Sequence, residues 1–129
     1  MTPAQVRKLI PLAEHGKSRD MDNYARKCIK VEEIRGEIDV IRAGKRQYDP
    51  SNGGDFNALA RWQRWVDAEI SKLGSQHQIS ESEKEAARLV AIKSAAKVQA
   101  LESLLKRALK EELVRKRRRA EQNGQPPDA

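Results

Sequence analysis

The stretch Asp49-Pro50-Ser51-Asn52-Gly53-Gly54-Asp55 divides the chain. Proline cannot continue a helix, and an Asn-Gly-Gly run favours a tight turn, so this is the strongest stop signal in the sequence. On its N-terminal side Tyr24, Cys28, Val31, Ile34, Ile38, Ile41 and Tyr48 recur at spacings of three, four or seven. On its C-terminal side Phe56, Leu59, Trp62, Val66, Ile70 and Leu73 do the same. Both series are heptad stripes, with charged residues filling the positions between. Two helices joined by one tight turn fold back as an antiparallel hairpin.

Further outward the pattern is less even. Thr2, Pro3 and Gln5 form a capping-box start. Pro11 and Gly16 then predict a kink or fray near residues 11–17, with Ser18, Asp20 and Asp22 as a second start. Gly74 and the polar run to Ser82 predict a bend or bulge in the second helix. Ala87, Ala91, Ala95, Val98, Leu101, Leu105 and Ala108 resume its stripe. The expected fold is all-α. A hairpin spans residues 1–121, with helix 1 over about 2–47, a loop over 48–55 and helix 2 over about 56–120. Residues 122–129, with Asn123-Gly124-Gln125-Pro126-Pro127, read as a flexible tail.

Setting Tyr48 opposite Phe56 gives paired residue numbers that add up to about 104. That register places the N-terminus opposite about residue 101 and leaves the second helix overhanging over 101–120. Leu101, Leu104, Leu105, Ala108, Leu109 and Leu113 would then form a bare apolar stripe that wants a partner. The alternatives are that the register differs, or that the N-terminal segment around Leu9, Ile10 and Leu12 covers that stripe.

Composition narrows the class. The chain has 129 residues, 35% of them charged, 38% hydrophobic and 4% aromatic. Such a chain suits long helices with narrow buried stripes rather than a wide core. The single Cys28 excludes an intramolecular disulfide and a cysteine zinc site, and reads as a buried helical thiol. The sequence has no membrane-length apolar run, and residues 1–7 carry no apolar signal segment. A reducing cytosol is the expected compartment.

Catalysis has little support. His15 and His77 have no ligand partner at helical spacing, there is no phosphate-binding Gly-rich loop, and a two-helix hairpin has no cleft to dehydrate a substrate. Neither an enzyme nor a cofactor or small-molecule substrate is expected. Charge is more informative. Lys106, Arg107, Lys110, Arg115, Lys116, Arg117, Arg118 and Arg119 face only Glu111 and Glu112, a local charge of +6 out of a total of +7. The run Arg115–Arg119 suits an acidic protein partner first, a solvated helix end second and nucleic-acid phosphates third. No aromatic residue interleaves it, so base stacking is not indicated. Tyr48, Phe56, Trp62 and Trp65 cluster around the turn. Trp62 and Trp65 either anchor a partner or lie flat along the seam.

These residues resemble the flagellar export protein FliJ family. Leu9-Ile10-Pro11-Leu12-Ala13-Glu14-His15 is similar to the family's leucine-rich opening. Tyr48 before a polar Gly-rich connection, Trp62-Gln63-Arg64-Trp65 opening the second helix, and the charged stretch Lys97–Gln122 are similar as well. Gly44 departs from the pattern, standing where a second aromatic is common. The resemblance implies an antiparallel coiled coil like a rotary-ATPase stalk, working in the cytoplasm at the inner-membrane export apparatus. Its implied partners are the hexameric export ATPase, the cytoplasmic domain of the export gate and export chaperones. It points to Ile41, Tyr48, Trp62 and Trp65 for the gate. Leu101, Leu105, Leu109, Leu113, Arg115, Lys116, Arg117, Arg118 and Arg119 are the residues expected to meet the ATPase. The competing readings are a basic helical-hairpin nucleic-acid binder and a self-associating structural coiled coil.

Overall fold

The computed structural model describes residues 1–47 and 56–124. Two helices account for nearly all of them: α1, Pro3–Gln47, and α2, Phe56–Gln122. They pack against each other, and no strand occurs among the described residues. The expected loop at 48–55 and most of the expected tail, 125–129, lie outside the described residues.

The ends of the helices follow the local rules. The Thr2 backbone N–H donates to Gln5 Oε1 at 3.0 Å, and the Gln5 N–H donates to Thr2 Oγ1 at 3.3 Å. This is a reciprocal capping box ahead of Pro3. At the other end the Asn123 N–H reaches the Arg119 carbonyl at 2.9 Å, and Gly124 adopts φ +70°. Only glycine takes that left-handed conformation at no steric cost, so α2 stops there.

Neither interior breaker ends its helix. α1 runs unbroken through Pro11 and Gly16, and the start at Ser18 is not used. Pro11 is exposed, whereas Val6 before it is fully buried and Ala13 after it half-buried. Packing of that face holds the helix across a proline that removes one hydrogen bond. α2 likewise runs through Gly74 and the polar stretch to Ser82 without a bulge. There His77 is half-buried and Ser80 buried, so the heptad continues in polar residues.

The chain divides into two compact units, one of residues 1–21 with 90–129, the other of residues 22–89. In the second, Ile34, Ile38 and Leu73 form a core with Ile41 packed on it, and Val31 and Val66 are fully buried. The helices run antiparallel there, since Lys27 Nζ meets Glu83 Oε2 at 3.2 Å while Lys45 Nζ meets Asp67 Oδ1 at 2.7 Å. In the first unit Val6, Val98, Ala91 and Ala108 are buried, and the Ser94 hydroxyl donates to Asp20.

These contacts revise the register. The pairs Lys27–Glu83 and Lys45–Asp67 add up to 110 and 112, and Asp20–Ser94 to 114. The expectation of about 104 is off by roughly one heptad. A heptad stripe looks the same after a shift of seven, so apolar spacing alone could not tell these registers apart. The consequence falls on the overhang. Leu9, Leu12 and Ala13 line one groove with Leu101, and Thr2 and Pro3 line another with Glu112, Arg115 and Arg119. The stripe expected to be bare from Leu101 onward is thus half-buried at Leu101 and Leu105 and buried at Ala108, while Leu12 stays exposed. The overhang shrinks to the last two turns or so of α2.

Candidate partner-binding surfaces

Two sets of exposed side chains stand out, one in each unit. In the first unit the basic residues of α2, Lys106, Arg107, Lys110 and Arg115 through Arg119, are all exposed. Among the described residues none of them lies within 4.0 Å of a carboxylate. Glu112 is half-buried beside Thr2 and Pro3 in a groove of about 210 Å³ that Arg115, Lys116 and Arg119 also line. The first turn of α1 holds no acidic residue, so the segment beside this run adds no neutralising carboxylate. Cations suit the last turn of a helix, where the exposed carbonyls carry partial negative charge. That effect fades within one turn and leaves Lys106 to Lys110 unexplained.

The expected partner-facing leucines divide. Leu101 and Leu105 are half-buried against α1 and are not bare. Leu109 and Leu113 are exposed, Leu113 by 52%. Val114, 42% exposed, joins them and was not among the expected site residues. Arg107, Lys110, Val114 and Arg118 line one open groove. The signal was present in the sequence, since Val114 is the apolar residue at helical spacing from Arg107, Lys110, Arg117 and Arg118.

In the second unit the aromatic residues separate by burial. Trp62 is half-buried, Trp65 is 56% exposed and Phe56, expected in the seam, is 81% exposed. Phe56 and Trp65 are the bare aromatics, with Trp62 turned partly inward. Ile41 is partly buried on the Ile34–Ile38–Leu73 core, which makes it a packing residue first. Tyr48 lies outside the described residues.

No protein-family model, curated protein or solved structure matches this chain.

Among the described titratable groups with shifted values, only Asp20 bonds across to the other helix. The Ser94 hydroxyl bond holds the Asp20 carboxyl below its usual range, burial opposes this, and Arg19 at 3.4 Å adds to it. Glu85 is lowered and Arg88 raised by their mutual hydrogen bonds, the shortest at 2.7 Å. Tyr24 is raised, first by its hydrogen bond with the Cys28 thiol. Cys28 is free and half-buried rather than fully enclosed. His77 Nε2 lies 3.7 Å from Glu81 Oε1. Among the described residues no group of three or more His, Cys, Asp or Glu could hold a metal ion. No helix among them is long and apolar enough to cross a membrane.

Proposed function

We propose that the chain is a non-enzymatic coiled-coil component of the flagellar type III protein export apparatus. In this reading it works in the cytoplasm at the inner-membrane machinery, meeting the hexameric export ATPase and the cytoplasmic domain of the export gate and escorting export chaperones. The observation that carries it is the exposed basic run of α2 at Arg115–Arg119, without an ion pair among the described residues and with Leu109 and Leu113 exposed beside it. Charge of one sign on a narrow helix steers encounter with an acidic partner and fixes its orientation. The exposed Trp65 and Phe56 of the other unit supply the kind of aromatic anchor a second protein partner uses. Helix pairing through unbroken heptads supports the resemblance to the FliJ family, which needs stiff paired helices rather than a pocket.

The test is a capture from nuclease-treated native cytosol, with the wild-type chain and an Arg115–Arg119 charge-reversed variant as baits. Recovery of a hexameric ATPase by the wild type and its loss on reversal is the expected outcome. Recovery of nucleic-acid-associated proteins only, abolished by nuclease, would replace this reading with that of a basic nucleic-acid binder. The gate contact is checked with Trp65→Ala and Phe56→Ala together, which should abolish binding to the gate's cytoplasmic domain and leave ATPase capture unchanged.

A further inference from the structure

We propose that the outward face of α2 over residues 106–118 docks on an anionic phospholipid surface. Measured around the helix from the buried Ala108, at about 100° per residue, Lys106, Arg107, Lys110, Val114, Arg117 and Arg118 fall between roughly 160° and 280°. That is the side turned away from the seam, and it runs for about 18 Å along the axis. Five of the six are cations, none of them ion-paired among the described residues. Arg107, Lys110, Val114 and Arg118 line one open groove on it, with Glu111 and Arg115 along the groove's border, a lining of four cations to one carboxylate.

Two observations select the lipid. A row of cations on a straight helix meets a plane of phosphate headgroups all at once, and each near the surface strengthens binding about fivefold. The same row would also meet a nucleic-acid backbone, but phosphates alone give no use to the exposed Val114 in its middle or to Leu113 at its edge. Apolar side chains between cations suit the boundary between headgroup and acyl chain, where Lys and Arg stems lie along apolar surface with their charges in water. A second copy of this chain is disfavoured by the like charge it would bring. The inference does not rest on the export reading, because it needs only this face.

The full chain is tested by sedimentation with phosphatidylcholine vesicles, with and without about one-third phosphatidylglycerol. Binding is expected on the anionic vesicles alone, weakening as salt rises. Lys110→Glu with Arg117→Glu should lower it by about thirtyfold or more. Leu113→Ser with Val114→Ser should lower vesicle binding several-fold and leave binding to a short DNA duplex unchanged. All four residues are exposed, and circular dichroism checks that both variants keep their helices. Equal binding to neutral vesicles overturns the proposal. So does vesicle binding that ignores the Leu113/Val114 variant, which would mark a general polyanion site. ATPase capture is read separately on the same variants, so loss of one activity does not mimic loss of the other.

Discussion

The unit built on Ile34, Ile38 and Leu73 and the unit built on Val6, Val98 and Ala108 use one heptad rule with different side chains. The first fills its seam with branched residues. The second buries only valine and alanine, Val6, Ala91, Val98 and Ala108, with Leu101 and Leu105 half-buried and the Asp20–Ser94 hydrogen bond between the helices. Hydrophobic stabilisation follows apolar area, so the larger side chains hold their helices more firmly. The seam with the smaller buried side chains is also the one whose α2 segment carries the basic run, which makes no ion pair among the described residues. Burial and exposure are thus divided between the units: one contributes packing, the other presents a charged surface.

That contrast predicts unequal responses to truncation. Ile38→Ala should cost about 2–4 kcal/mol, because a buried isoleucine leaves both lost transfer energy and a cavity. Val98→Ala in the other unit should cost only about 1–2 kcal/mol. Urea melts of the two variants followed by circular dichroism check this. Equal costs would remove the distinction between the seams.

Two glycines sharpen it further. Gly36 is exposed within α1, and a methyl group there would meet open space. Gly36→Ala should therefore stabilise by about 0.5–1 kcal/mol. Gly124 also faces open space, but its φ of +70° strains any side chain. Gly124→Ala should destabilise the end of α2 by about 1 kcal/mol, read as faster amide exchange over its last turn.

The smallest effect concerns pH. Asp20 is held below its usual carboxylate range by Ser94, so its contribution is present above about pH 4 and is lost as pH falls through the lowered value. Asp20→Asn should flatten the acid side of the stability profile below that point. The Ser94→Ala variant should do the same. An unchanged acid limb in both would show that this bond does not fasten the seam.

Much of the fold was legible in the sequence, and for identifiable reasons. The capping box at Thr2 and Gln5 and the final stop at Gly124 are local chemistry, and local chemistry is readable from neighbours. Pro11 and Gly74 do not end their helices, because tertiary packing outweighs the cost of one breaker in a long helix. Register was the harder case. A seven-residue repeat pairs equally well when shifted by seven, and the cross-helix contacts of Lys27, Lys45 and Asp20 hold information that the apolar pattern lacks. The candidate site inherits that ambiguity. Arg115–Arg119, Leu109 and Leu113 stay exposed under either register, while Leu101 and Leu105 become covered once the register is right. Phe56 was missed as a surface residue because spacing suggested the seam, and Val114 because its helical spacing from the basic residues was not weighed beside the leucine stripe.

The central claim is that the basic end of α2 acts on an ATPase. Its most direct test mixes the purified chain with the export ATPase of its own cell and measures the ATPase's mass in solution with ATP present. The account predicts a shift toward hexamer with the wild-type chain and none with the Arg115–Arg119 reversal. A hexamer fraction that the wild-type chain leaves unchanged, or that the reversed chain raises equally, would contradict it.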